Sequence, residues 1–393
     1  MSQNGSQTPI VLGDPVPWFS AKTITGASVE LQINAGRWIV LAFFGAMNSE
    51  RAVAELGALL QSHSLFVEDR LMVFVVLTEP SPDEDVLKSF TSPAFSFIAD
   101  FDRSLTRLYG ALGAPRTFVV DPMLRTIADI AWDHTDGHAA TVAKLLTELP
   151  DVDRAAGVPI TAPALIVPRV FEFPFCEMLV NFYEDIGGAE SGFLLDRNGK
   201  TKTVVDHRYK CRHDLAIVEP NLRDAIRDRI VRRLVPEIAR FFQFKATRMD
   251  RYMVSCYDSA TGGHFSRHRD NVNAGARHRR FAASINLNSD YEGSDLIFPE
   301  FGRRIYKAPV GGAIVFSCGA LHQVTPVTRG KRYAFVPFFY GEADAALRMA
   351  SNAHLKEGEI AYTGERDKLF PAVEALGIVP EMQGEHEKST AHK

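Results

Sequence analysis

From Val11 to about Pro150, apolar runs of strand length alternate with stretches of helical period. RWIVLAFF (37–44), LMVFVVLT (71–78), SFIAD (96–100) and RTFVVD (116–121) read as strands. The segment from about Ser49 to Ser62 and DRSLTRLYG (102–110) read as helices. Near-continuous apolar strands separated by amphipathic helices are the signature of an α/β sheet buried on both faces.

The pattern changes after DVDRAAGVPITAPAL (151–165), whose Ala, Pro and Gly carry no clear period and suit a linker. Two helical stretches follow, about Phe175 to Ile186 and Asn221 to Phe242. The second sets Leu222, Ile226, Ile230, Leu234 and Ile238 on one stripe. Its six arginines lie mostly off that stripe and read as a solvated face.

From Arg248 to Tyr340 the chain reads as strand after strand: RMDRYMVSCY, HFSRHR, RFAASINLN, SDLIFPE, AIVFSC, HQVTPV and KRYAFVPFFY, punctuated by Gly, Asn, Asp and Pro. Short strands with no helix between them predict a sandwich or barrel. The expected domains are therefore 11–150, a linker at 151–165, a β-rich domain at 166–345 and an extension at 346–393, whose end EMQGEHEKSTAHK is polar enough for disorder.

Composition narrows the partners. Of 393 residues 46% are hydrophobic, ample for packed cores, and 44 Lys+Arg against 48 Asp+Glu leave a formal charge of -4. No global field argues for nucleic acid or an anionic membrane. The opening MSQNGSQTPIVLGDPVPWFS lacks a basic and apolar signal, and no run reaches the roughly 18 apolar residues of a membrane span. The expected location is the cytoplasm.

The four cysteines, Cys176, Cys211, Cys256 and Cys318, show no C-x-x-C spacing, and none precedes residue 151. That absence matters because GDPVPWFSAKTITG, IVLAFFGAMNSERAVAEL and GAPRTFVVDP resemble the peroxiredoxin branch of the thioredoxin superfamily. The family's chemistry needs a thiolate at the start of the first helix. Aligned on Glu55-Leu56, this chain has Ala52 at the peroxidatic cysteine position and Gly45 where the family carries proline, so peroxidase chemistry is excluded.

Two H-x-D pairs occur, His134-Thr135-Asp136 in WDHTDGH and His268-Arg269-Asp270 in HFSRHRDN. The first reads as a turn into an N-capped helix. The second lies in a strand pattern, where residues i and i+2 share a face and can reach one ion. Downstream, His322 opens HQVTPVTRGKRYAF. Two imidazoles and one carboxylate make the facial triad of non-haem Fe(II) oxygenases, which leaves open positions for other ligands. Arg332 follows ten residues after His322 and offers a fork for a carboxylate.

H-x-D, a histidine 52 residues after the aspartate, and H-x-V-x-P-V-x-x-G-x-R resemble the 2-oxoglutarate and Fe(II)-dependent dioxygenases of the prolyl 4-hydroxylase-like group, over about residues 165 to 345. The resemblance implies a double-stranded β-helix, or jelly-roll, with flanking helices behind a thioredoxin-like domain: a multi-domain α/β plus all-β chain. It implies Fe(II) held by His268, Asp270 and His322, and 2-oxoglutarate paired through its distal carboxylate with Arg332. Tyr257 in MVSCYD and Asn286 in SINLN stand where relatives present further cosubstrate contacts. O2 and, as a further cofactor, ascorbate belong to the same expectation.

The sequence departs from the family at Phe265, where Tyr-x-x-His-x-Asp has tyrosine, and at Arg332, where collagen-type enzymes use lysine. His264 reads as a rim or substrate-contact residue. Arg267, Arg269, Arg277, His278, Arg279 and Arg280 read as a solvated loop, with attraction of an anionic substrate as the alternative.

The implied reaction is hydroxylation of an unactivated C–H bond, in a prolyl or other protein residue, or in a small molecule such as an amino acid or natural-product intermediate. A third reading keeps only a binding role, in which the cysteine-free thioredoxin-like platform docks a partner or substrate protein.

Overall fold

In a computed structural model, the structure describes residues 9–45, 50–61, 67–80, 92, 94–132, 137–197, 200–350, 352, 362, 364 and 367–369. These fall into two compact units, one formed mainly by residues up to Ala162 and the other mainly by residues from Pro163 on.

The first unit is organised by Trp38–Gly45, the fully apolar run of the sequence, which forms the centre of a five-stranded sheet. Leu71–Leu77 and Phe95–Ala99 extend it in parallel on one side. Arg116–Val120 and Thr126–Ala131 extend it antiparallel on the other. Alternate residues of the central strand enter two separate cores. Trp38, Val40 and Ala42 join Leu56, Leu59 and Val142 of the helices Glu50–Gln61 and His138–Glu148. Ile39, Leu41 and Phe43 join Phe19, Tyr109 and Phe118. This is the predicted α/β sheet, buried on both faces.

The two helices share an unusual cap. Glu55 is buried, and its two carboxylate oxygens accept from the backbone N–H groups of Gly137 and Ala139, each at 2.7 Å. A carboxylate at a helix N-terminus satisfies orphan donors and opposes the positive end of the dipole.

From Leu165 on, the chain forms a nine-stranded and a five-stranded sheet, the β-rich architecture expected of a jelly-roll. In the larger sheet Arg248–Asp250, Phe338–Tyr340, Phe281–Asn286, Lys331–Phe335, Met253–Asp258, His213–Ala216 and Ala189–Glu190 lie in that order. Ala313–Ser317 and Leu165–Val167 branch from Phe281–Asn286. Its apolar face supports the helices Phe173–Ile186, Pro220–Arg233 and Val235–Phe242 in one core. The smaller sheet orders Lys210–Cys211, His264–His268, His322–Val324, Leu296–Ile297 and Ile305–Tyr306.

Two sequence expectations are corrected. The stretch Asn221–Phe242 is two helices, because Pro236 lacks a backbone donor and the chain breaks at Leu234. Ile226, Ile230, Leu234 and Ile238 are nonetheless all fully buried. RMDRYMVSCY and KRYAFVPFFY each form two strands. One breaks where Arg251 adopts a left-handed φ of 61°, the other at Val336 and Pro337. The segment Asp196–His213, which has no clear period, contains the second strand of the hairpin Phe193–Arg197/Lys200–Val204. The pair His134 and Asp136 and the tail EMQGEHEKSTAHK lie outside the described residues.

All three tryptophans, Trp18, Trp38 and Trp132, lie in the first unit, so tryptophan fluorescence reports on its unfolding alone. Glu55→Ala is expected to destabilise that unit by about 2 kcal/mol, since two hydrogen bonds to a buried carboxylate are lost. A fluorescence-detected denaturant titration of the full chain checks this.

Candidate metal centre

His268 ends its strand, and Asp270 lies just beyond in a turn, its N–H donating to the Cys318 carbonyl at 2.9 Å. The expectation that both lie in one strand is corrected. The turn, tied to Cys318, brings the carboxylate round to the imidazole. His322 opens the neighbouring strand of the smaller sheet. One ligand atom from each of His268, Asp270 and His322 lies within 4.8 Å of the other two.

The tautomer of His268 suits a ligand. Its Nδ1 faces the Ser266 carbonyl at 2.7 Å and must donate, so Nε2 carries the lone pair, 3.5 Å from Asp270 Oδ1. A lone pair and a carboxylate oxygen aimed at common space, with a second imidazole beside them, form the donor set of a divalent cation. His268 and His322 are 8% and 5% exposed, so the site is also largely dry.

Phe265 replaces the expected tyrosine hydroxyl with a stack. Its ring lies 3.5 Å from the His268 ring at an interplanar angle of 17°. On its other contacts Phe265 meets Tyr209 edge-on and the Lys210 ammonium 5.0 Å from its centroid. Burial and the neighbouring Arg212 push the Lys210 ammonium down to about 6. His264 turns away, with Nδ1 on the Gly262 carbonyl and Nε2 near the Arg208 carbonyl.

Arg332 is 4% exposed on the larger sheet. Its Nε and Nη2 donate to Asn286 Oδ1 at 3.2 and 2.9 Å, and Nη2 also to Ser284 Oγ at 2.8 Å. Asn286 is fixed in turn by donating to the Ala308 carbonyl at 2.7 Å. Tyr257 sits directly opposite Arg332 in register, with the guanidinium carbon 5.6 Å from its ring centroid, and its hydroxyl accepts from Arg212 at 3.3 Å. The sequence picked out all three residues. The geometry gives Asn286 a positioning role: its oxygen is already engaged in holding the guanidinium.

The basic stretch is only in part the solvated loop expected: Arg277 and Arg280 are exposed, whereas other members are not. Arg269, His278 and Arg279 are buried, and Arg280 pairs with Asp344. His278 and Arg279 converge on the buried Asp250, at 3.2 and 3.5 Å. Burial opposes ionisation of Asp250, but Arg279 and His278 hold its carboxyl well below the usual range. The cysteines form no reactive centre: burial pushes Cys176 and Cys256 each up to about 11 and Cys318 well above its ordinary value.

Comparison with known proteins finds matches to two separate segments of the chain. Residues 252–340 match the 2OG-Fe(II) oxygenase superfamily and residues 12–128 match the AhpC/TSA family. A PKHD-type hydroxylase of Synechococcus sp. (strain JA-2-3B'a(2-13)) is 35% identical over 91 residues, covering 21% of this chain and 40% of that protein. One of Nitrobacter winogradskyi is 40% identical over 91 residues, covering 21% and 39%. The chain thus spans about 40% of the length of these curated relatives.

Among solved structures, peroxidoxin BcpB from Mycobacterium tuberculosis aligns with 36% of this chain and 99% of its own, at 19% identity and a TM-score of 0.32. A prolyl hydroxylase from Trichoplax adhaerens, in complex with a hypoxia inducible factor peptide fragment, aligns with 54% and 96%, at 19% identity and a TM-score of 0.36. Two segments of the chain thus match these family models, and the match to the 2OG-Fe(II) oxygenase superfamily implies Fe(II), 2-oxoglutarate and O2 as cofactors. Among the described residues no helix is long and apolar enough to cross a membrane.

His268→Ala removes a donor outright and is expected to weaken Mn(II) binding by at least about 100-fold. Phe265→Ala, which only frees the ring, is expected to cost about tenfold. Both are read from metal titrations followed by calorimetry.

Proposed function

We propose that the chain is an Fe(II)- and 2-oxoglutarate-dependent dioxygenase that hydroxylates an unactivated C–H bond. The observation that carries this is the unbalanced charge of Arg332 in a chain that also holds a three-donor cation site. Among the described residues, all the acceptors that Arg332 meets, Asn286, Ser284 and Ser294, are neutral. A buried guanidinium without a counter-ion is costly, and an anion that completes it regains that cost.

In this reading His268, Asp270 and His322 hold the metal, and Arg332 takes the distal carboxylate of 2-oxoglutarate through its fork. Asn286 fixes the plane of that fork, and Tyr257 closes the side of the cosubstrate pocket. When bound, Fe(II) and 2-oxoglutarate supply the chemistry that couples reduction of O2 to oxidation of a C–H bond, with succinate and CO2 as by-products. The chain's residues bind, orient and keep out water.

The hydroxylase names of the relatives support this class. The substrate in the proposal is a protein residue, prolyl or other, or a small molecule. Residues 166–345 form the oxygenase domain, and residues 11–150, with Ala52 in place of a cysteine, keep a docking role for a partner or substrate protein.

Succinate formation from 2-oxoglutarate tests the proposal. Fe(II)-dependent turnover is expected in the wild type. Asn286→Ala is expected to raise KM for 2-oxoglutarate about tenfold, and Arg332→Ala about 100-fold, because a charge-assisted hydrogen bond and then the whole anchor are lost. Turnover indifferent to Arg332 would overturn the assignment.

A further inference from the structure

The face of the larger sheet that holds Arg332 carries a second cationic centre. Ala282, Ser284 and Asn286 alternate onto that face. Ser284 and Asn286 meet Arg332, while Ala282 lies opposite Phe338 in register, which sets the Phe338 ring on the same face. Two guanidiniums approach that ring, Arg279 at 4.1 Å and Arg251 at 5.4 Å from its centroid.

Two like charges on one ring repel, and the chain accepts backbone strain to hold one of them. Arg251 sits at a φ of 61° in the break between two strands, a conformation that non-glycine residues seldom take. Among the described residues its guanidinium has no ion pair and no hydrogen bond. Burial, Arg279 and Arg212 together depress it to about 10. Arg279 meets a carboxylate that His278 and Arg348 share, and its Nε makes no hydrogen bond. Arg212, 6% exposed and bonded to Asp214 and Tyr257, links this centre to the tyrosine beside Arg332.

The metal centre is close by. The Cys318 carbonyl accepts from the Asp270 N–H, and the Cys318 N–H donates to the carbonyl of Arg280, next to Arg279, each at 2.9 Å. Arg212 meets Asp214 and Arg279 shares Asp250 with His278 and Arg348, whereas Arg251 and Arg332 have no carboxylate partner among the described residues. A divalent metal and doubly charged 2-oxoglutarate cancel each other and leave that excess of positive charge in place.

We propose that Arg251 and Arg279, flanking Phe338, form an anion subsite for a carboxylate of the substrate, which makes the substrate of this oxygenase a small carboxylic acid. The inference rests on the oxygenase reading of the same interior and narrows it. A guanidinium pair fits the two oxygens of a carboxylate, and the burial of Arg279 favours a small molecule that enters the fold over a chain that lies across it.

Melting of the full-length protein loaded with Mn(II) and saturating 2-oxoglutarate tests it, with acetate, propionate and benzoate compared with their amides at constant ionic strength. At least one acid is expected to raise Tm where its amide does not. In Arg251→Asn, whose new side chain tolerates the left-handed backbone, and in Arg251→Lys, which keeps the charge without the fork, the acid is expected to bind at least tenfold more weakly.

Acids and amides acting alike on the wild type would overturn the subsite, as would a full acid effect in a folded Arg251→Asn. Stabilisation by a Glu-containing hexapeptide and by none of the acids would overturn the small-acid assignment. The oxygenase reading is scored separately in the same experiment: it fails if 2-oxoglutarate does not raise Tm in the presence of Mn(II), whatever the acids do.

Discussion

Strand alternation in the larger sheet separates a dry face from a charged one, and the site depends on that separation. On Met253–Asp258, Phe281–Asn286 and Lys331–Phe335, the residues Val254, Cys256, Ala283, Ile285, Tyr333 and Phe335 enter the helical core. Their neighbours Ser255, Tyr257, Ser284, Asn286 and Arg332 turn the other way. Register pairs Val254 with Phe335 and Tyr257 with Arg332, so a slip of one residue would drive the guanidinium into the apolar core. The helices thus pay for the polar face: apolar burial on one side of the sheet offsets the cost of desolvated cations on the other.

The first unit shows the complementary case, a buried carboxylate that serves structure. Ala52 is buried on the helix where the related family places its thiolate, and Glu55 on the same helix caps the helix His138–Glu148. A carboxylate that ties two helices together contributes to stability without any redox function.

Much of this was legible in the sequence because it is local or periodic. The apolar strands of the first unit, the stripe Ile226, Ile230, Leu234, Ile238 and the pairing of H-x-D with a later histidine and Arg332 all follow from spacing. What escaped depends on distant residues. His278 and Arg279 read as solvated because Asp250 and Phe338, which bury them, lie tens of positions away. The stack of Phe265 on His268 replaces a hydroxyl with a contact that no motif encodes. Arg251 looked like one more strand residue, since nothing in RMDRYMVSCY announces a left-handed turn there.

The central claim is that His268, Asp270 and His322 bind Fe(II) within reach of a cosubstrate anchored by Arg332. Anaerobic addition of Fe(II) and then 2-oxoglutarate, followed by visible absorption, tests it most directly. A metal-to-ligand charge-transfer band in the wild type, lost in His268→Ala and weakened in Arg332→Ala, is the predicted result. A well-folded wild type that binds Fe(II) and shows no band with 2-oxoglutarate would contradict it.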